Sequence, residues 1–338
     1  MLLVLSAIVL TSICWFTTFV ISYYDYHPKA PRRLTKVSLS KNKSVVAWIL
    51  LILLSLIWGS SFILIKKSLV AFDPLQLGAG RIVISFLAFT PLFLFHFSQI
   101  NWKRFWPLLV VGFCGSALPA FLYASAQTEI PSGIAGLLNA LTPIFAFLLS
   151  IIAFGKSFSG KQLLGISLGF VGTAIVFLSK EDISVSFSYY HGLLIVLATF
   201  CYGISANTVG NYLSDVKPII ISTVSFILIG PWALIYLLQS DFLTVATHHD
   251  QGTMSLLALI TLSLIGTFGA NILFFKLIHL TDAVFSSSVS FLTPFVALMW
   301  GIIDGESFNS YFFLALALII SGVFLVKYSK KEGPDIEV

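Results

Sequence analysis

Arg81 is the one basic residue that falls well inside an apolar stretch of this chain, seven residues after Pro74 and so about 10 Å further along a helix axis. An ionisable side chain at such depth is rare in a membrane and usually faces the interior of a helix bundle. Its guanidinium could grip a carboxylate or a phosphate through two parallel hydrogen bonds. It could equally bond carbonyls of neighbouring helices or lipid headgroups, and the sequence leaves both roles open. Around it, at mid-depth of other apolar stretches, stand Trp58, Ser60, Ser61, Tyr123, Asn139, Tyr202, Asn207, Asn271 and Trp300. Hydroxyls, amides and flat rings are the chemistry of holding a small molecule. The alternative for the aromatics is packing or an interfacial belt.

Pro143 and Pro294 each lie about halfway along an apolar run, in the phrases LTPIFAFLLSIIAFGKSF (141–158) and LTPFVALMWGIIDGESF (292–308). A proline there removes one backbone hydrogen bond and clashes with the carbonyl four residues earlier, here those of Asn139 and Ser290. Under-bonded backbone at membrane depth is tolerated only where protein or a water-filled cavity satisfies it. Both helices are therefore expected to face the interior, line a path and kink in gating; kinks that serve packing alone are the alternative.

Acids are absent from mid-span positions. Glu129, Asp282, Asp304 and Glu306 all fall at span edges, which argues against a proton relay built on a buried carboxylate. There is no convergent His, Asp, Glu or Cys set and no nucleophile with a nearby base, so the expectation is no catalytic residue, no metal, no cofactor and no enzyme. A phosphate-binding G-x4-G-K-[ST] loop is missing too: Gly155-Lys156-Ser157 has Ser150 where the leading glycine would stand. The expected partners are a small-molecule substrate and membrane lipid, not nucleic acid. Cys14, Cys114 and Cys201 lie inside apolar segments without ligand spacing and read as small buried hydrophobes.

These residues need long apolar helices to carry them. The chain has 338 residues, 58% of them hydrophobic and 10% charged, with a mean hydropathy of +0.99; soluble domains carry roughly 25% charged residues. Charges and breakers divide it into candidate spans at 2–22, 46–65, 75–97, 106–127, 131–153, 161–178, 190–210, 217–238, 254–275, 282–303 and 308–327. With the basic segment 29–43 in the cytoplasm, alternation puts fifteen Lys and Arg inside and only Lys66, Lys67 and Lys180 outside. One missed or invented helix would invert every loop after it. The first span is then an extra helix with its N-terminus outside, and the C-terminus is cytoplasmic.

The second half repeats the first in order. Trp58-Gly59-Ser60-Ser61 matches Tyr202-Gly203-Ile204-Ser205 and Pro74 matches Pro218 at an offset of 144; Gly115, Tyr123 and Leu141-Thr142-Pro143 match Gly266, Phe274 and Leu292-Thr293-Pro294 at 151; Gly155-Lys156-Ser157-Phe158 matches Gly305-Glu306-Ser307-Phe308 and Gly172 matches Gly322 at 150. Each unit holds five helices, an odd number, so the copies must cross the membrane in opposite directions. Inverted repeats of this kind are the architecture of secondary transporters, with the substrate between the halves. Gly165, Gly169 and Gly172 give the fifth repeat helix a small-residue face for close packing.

WGSSFILIKKSL at 58–69, Pro74 and Arg81 in a P-x6-R pattern, the two LTP helices and GESF at 305–308 together resemble the EamA family of the drug/metabolite transporter superfamily. The resemblance spans about 46–327, departing at the extra helix 2–22 and at Lys156, where many relatives carry Glu. It implies a ten-helix all-α bundle in the bacterial cytoplasmic (inner) membrane that exports amino acids and other small metabolites. The expected organisation is an N-terminal helix and basic linker (1–45), a first repeat (46–180), a second repeat (190–327) and a cytoplasmic tail (328–338). A channel, or a lipid-handling or scaffold protein, is the alternative.

Overall fold

A computed structural model describes residues 41–178, 189–303 and 311–329. The expected span 2–22, the basic linker up to residue 40, Asp304, Glu306 and the tail lie outside the described residues. Among the described residues the secondary structure is entirely helical. We label the principal helices α1 (Lys41–Ser68), α2 (Pro74–His96), α3 (Phe105–Gly112 and Leu118–Ala126, joined by the π turn Phe113–Ala117), α4 (Ser132–Asn139, then Thr142–Ile152) and α5 (Gly160–Leu178). There follow α6 (Tyr189–Tyr212), α7 (Pro218–Gln239), α8 (Gly252–Ser263 and Ala270–Leu280, joined by the π turn Leu264–Gly269), α9 (Ala283–Ser287, then Val289–Ile303) and α10 (Tyr311–Tyr328). A short helix, Phe242–His248, fills the α7–α8 connection.

Among the described residues, seven segments are long and apolar enough to cross a membrane: Lys43–Ser68, Pro74–Gln99, Trp102–Ala126, Ile134–Ile152, Tyr189–Tyr212, Pro218–Gln239 and Gly252–Leu280. Ala283–Val296 and Phe313–Tyr328 are shorter apolar helices. The chain is a multi-pass membrane protein. Its burial pattern agrees: Phe95, Ile152 and Trp232 are 76–79% exposed, which only lipid makes tolerable, whereas Ser85, Thr173, Ser222 and Ser263 are completely buried and bond helix carbonyls.

Helix boundaries follow from local chemistry. Pro74 and Pro218 open α2 and α7, where a missing N–H costs nothing. At α2 the Asp73 carboxylate accepts from the backbone of Leu75 and Gln76 at 2.8 Å, and the Gln76 side chain accepts from the Asp73 N–H, a complete capping box. Gly155 closes α4 with φ at +57°, a conformation only glycine adopts freely, which accounts for the glycine of GKSF.

Lipid offers no hydrophobic drive for helix to meet helix, so close packing through small residues must do it. These crossings come in matched pairs. Gly115 of α3 lies against Ser205 of α6, and Gly266 of α8 lies against Ser61 of α1. Gly59 of α1 packs on Val296 and Thr293 of α9, while Gly203 of α6 packs on Phe145 and Ala146 of α4. Gly172 of α5 meets Ala315 and Ile319 of α10, and Gly322 of α10 meets Gly165 and Gly169 of α5. The small-residue face of α5 is thus filled by α10 and, at Gly169, by Phe291 of α9 of the same chain.

The expected spans locate these helices but smooth over their interruptions. Residues 131–153 were expected to form one helix with a proline inside; instead the helix ends at Asn139 and restarts at Thr142, with Pro143 in the first turn of the new segment. Restarting there removes the clash that a mid-helix proline would cause. Pro294 stays inside its helix, five residues after Val289.

Candidate functional site

A cavity opens among eight of the ten helices, with about 940 Å³ between its lining atoms including the part open to the surroundings. α1 to α4 and α6 to α9 each contribute to it; α5 and α10 do not. The part that a water-sized sphere can enter is about 90 Å³, several times what one water needs.

Among the described residues that line it, the one charged group is a guanidinium. Arg81 Nε donates to Thr267 Oγ1 at 2.6 Å, tying α2 to the π turn of α8. This bond fixes the side-chain direction, and the two terminal nitrogens make no hydrogen bond to any described residue. Both π turns line the cavity, through Gly115 and Ser116 on α3 and Gly266 and Thr267 on α8. A π turn frees carbonyls from the regular ladder, and Trp58 Nε1 takes one of them, donating to Gly266 O at 3.0 Å. Asn271 Nδ2 donates to Ser116 Oγ at 3.2 Å and joins the two interrupted helices.

A second polar run crosses from α3 to α9. Tyr123 Oη donates to Asn139 Oδ1 at 2.7 Å, and Asn139 Nδ2 donates to Thr293 Oγ1 at 3.4 Å. The rings form paired walls: Tyr123 and Tyr202 stack with centroids 6.1 Å apart and planes 25° apart, and Trp58 meets Phe274 edge-on at 5.1 Å.

Of the residues singled out from sequence, Trp58, Ser61, Arg81, Tyr123, Asn139, Tyr202 and Asn271 line this one cavity. Ser60 does not; its hydroxyl donates to Leu56 O at 2.8 Å on the exposed side of α1, rotated about 100° around the helix from Ser61 and about 200° from Trp58. Asn207 is fully buried but off the cavity, where Nδ2 donates to Ala146 O at 2.8 Å and Gly203 O at 3.0 Å and so ties α6 to α4. Trp300 belongs to α9, with its side chain outside the described residues. Pro143 and Pro294 are buried, one in the restart of α4 and one inside α9. Thr267, Ser116, Phe274 and Ser290 line the cavity without having been selected. The offset of 151 pairs Ser116 with Thr267, so a hydroxyl repeated beside a repeated glycine was the available signal.

The sequence profile of the EamA-like transporter family matches residues 46–178 and again 191–328. The chain belongs to that family. A transporter of Archaeoglobus fulgidus is 23% identical over 282 residues, covering 82% of this chain and 98% of its own. A Salmonella typhimurium protein named "probable amino-acid metabolite efflux pump" is 24% identical over 291 residues, covering 82% and 93%. A Chlamydia trachomatis S-adenosylmethionine/S-adenosylhomocysteine transporter is 23% identical over 296 residues, covering 84% and 90%. A solved crystal structure superimposes with a TM-score of 0.62 at 18% identity, covering 82% of this chain and 95% of that one, and so shares the fold.

In this EamA-like chain the threonine of each LTP phrase repairs the damage done by its proline. Thr142 Oγ1 donates to Asn139 O at 2.8 Å and Thr293 Oγ1 donates to Ser290 O at 3.0 Å, the two carbonyls that Pro143 and Pro294 leave without an amide donor. Thr→Val keeps the shape and deletes the hydroxyl. Each of Thr142→Val and Thr293→Val should cost about 1–3 kcal/mol, the penalty of a buried acceptor left unbonded. Thermal unfolding in detergent checks this, with Thr261→Val on the exposed side of α8 as the near-neutral reference.

Proposed function

We propose that the chain is a secondary transporter that exports small polar metabolites, amino acids among the first to test, by alternating access between two five-helix repeats of inverted topology (46–180 and 190–327). The carrying observation is the cavity between α1–α4 and α6–α9, whose walls meet at matched crossings: Gly115 on Ser205 and Gly266 on Ser61. A pair of related half-structures enclosing one site can rock about it with nearly equal packing in either direction. The double match to the family profile and the efflux-pump names of two relatives support the same reading.

In this reading Trp58, Ser61, Arg81, Tyr123, Asn139, Tyr202 and Asn271 contact the substrate. The break before Pro143 and the proline-containing segment of α9 let those helices bend as access changes. The protein sits in the cytoplasmic membrane among lipids with its C-terminus inside. Counterflow into proteoliposomes holding the purified full-length chain tests the proposal, using a panel of radiolabelled amino acids and small organic acids. Saturable uptake of at least one solute above protein-free vesicles is expected. A folded, correctly inserted protein that moves none of them would overturn it.

A further inference from the structure

We infer that the cavity selects an apolar organic monoanion without an ammonium group, an aryl carboxylate being the simplest case, over the amino acid of the same skeleton. This rests on the transport reading above, keeping its site and mechanism but replacing amino acids by their deaminated counterparts as the favoured substrates.

The first ground is the charge inventory. Arg81 lines the cavity, oriented through Nε by Thr267 and with its terminal nitrogens bonded to no described residue. That is the fork geometry that accepts both oxygens of a carboxylate. Among the described residues that line the cavity there is no Asp, Glu, Lys or His. Four carboxylates near the ends of the lining helices are already engaged, and Glu129, just past α3, is exposed at the surface. Asp73 caps α2, Asp241 accepts from Gln76, Asp215 pairs with Arg104 at 2.9 Å, and Asp282 caps α9 through Phe285 N at 2.9 Å.

The neutral acceptors that remain in the lining, the Asn271 amide oxygen and the Tyr202 hydroxyl among them, carry no charge to balance an ammonium, and two others are already taken. Asn139 Oδ1 is taken by Tyr123, and Gly266 O by Trp58. An amino acid held by its carboxylate on Arg81 would bring its ammonium within roughly 5 Å of the guanidinium, where two like charges with no counter-charge repel strongly in a site of low polarity. Its deaminated counterpart keeps the carboxylate and the apolar body and loses that repulsion.

The second ground is asymmetry between the halves. The position that matches Arg81 at the offset of 144 is Ser225, whose hydroxyl donates to Leu108 O at 2.9 Å. One half supplies a cation and the other does not, so the site matches one negative charge. The Tyr123–Tyr202 stack and the Trp58–Phe274 pair then offer apolar walls to the rest of the ligand.

The test is thermal unfolding of the detergent-solubilised full-length chain at pH 7 with 3-phenylpropionate, phenylalanine and phenethylamine, run beside the counterflow assay. 3-Phenylpropionate should reach half-maximal stabilisation at a concentration at least tenfold below that of phenylalanine, and phenethylamine should give no shift. In Arg81→Gln the gap between the first two should close. Phenylalanine binding as well as or better than 3-phenylpropionate overturns the inference and leaves the transport reading standing. So does a preference that survives unchanged in Arg81→Gln, or no shift with any probe from a chain that moves some other solute. Absence of all transport overturns the underlying reading instead.

Discussion

Arg81→Met is expected to leave the melting temperature of the chain unchanged or slightly raised while weakening anion binding ten- to a hundredfold. A charge at mid-membrane depth costs about 2.5–3.5 kcal/mol on insertion scales. What Arg81 receives in return from the protein is one hydrogen bond, from Nε to Thr267, worth roughly 1.5–3 kcal/mol for a charged donor. Methionine of similar length removes the cost and fills the same space, while Thr267 Oγ1 keeps a contact to Leu262 O at 3.4 Å. Net stability should therefore be unchanged or up by about 1 kcal/mol. Loss of a bidentate charged contact should weaken a carboxylate ligand by ten- to a hundredfold. Arg81→Lys should restore only part, since an ammonium is a point charge without the fork. Opposite signs for stability and binding separate a ligand clamp from a structural arginine. Were Arg81 a strut between α2 and α8, both quantities would fall in Arg81→Met, and unfolding measured beside ligand titration would show it.

Reading depth from sequence worked where a single physical term dominates. Apolar length alone brackets α2, α6 and α7 to within a residue or two, because a bilayer demands that length. It fails for α3, α4, α8 and α9, where the backbone departs from a regular helix. Nothing in the apolar run 106–127 distinguishes five residues of π turn at Phe113–Ala117 from ordinary helix. The energy that sustains the turn comes from partners elsewhere in the chain, Asn271 on Ser116 and, for the second turn, Trp58 on Gly266. The candidate site divides in the same way. Depth is readable from position along a span, so Trp58, Ser60 and Ser61 were selected together. Direction is not: Ser60 turns to the exposed side of α1 while its neighbour lines the cavity. Asn207 was chosen for being polar and deep, and it is both, but the α4–α6 crossing uses its amide before the cavity can. The repeat carried more information than the individual residue types. The same register that pairs Gly115 with Gly266 pairs Ser116 with Thr267, the hydroxyl that orients Arg81.

Gly322→Ala should be among the most destabilising single-methyl additions in the chain. A Cβ there would stand 2.5 Å from Gly165 O, 2.7 Å from Gly169 N and 3.2 Å from Gly169 Cα. All three are backbone atoms of α5, so no side chain can rotate away and the two helices must separate. Overpacking of this sort costs about 1–3 kcal/mol, and in lipid there is no hydrophobic drive to hold the parted helices together. The matched contact on the other side of the crossing gives a graded comparison. A Cβ on Gly172 would meet Ala315 O at 2.8 Å, the movable Ile319 Cγ1 at 2.8 Å and Ile319 N at 3.1 Å, two backbone atoms at longer range than at Gly322, so Gly172→Ala should cost somewhat less. Gly160→Ala, with nothing within 4 Å of the added methyl, should be neutral or stabilising by up to about 1 kcal/mol. The ordering Gly322 > Gly172 > Gly160 in thermal unfolding checks the geometry. Oligomeric state, followed by light scattering, should not change across the series. The glycine face of α5 is spent on α10 and Phe291 of its own chain, so a loss of mass on substituting Gly172 or Gly322 would mean that the face joins subunits. Because α5 and α10 lie outside the cavity walls, ligand affinity per folded molecule should stay constant while stability falls, the converse of the expectation for Arg81.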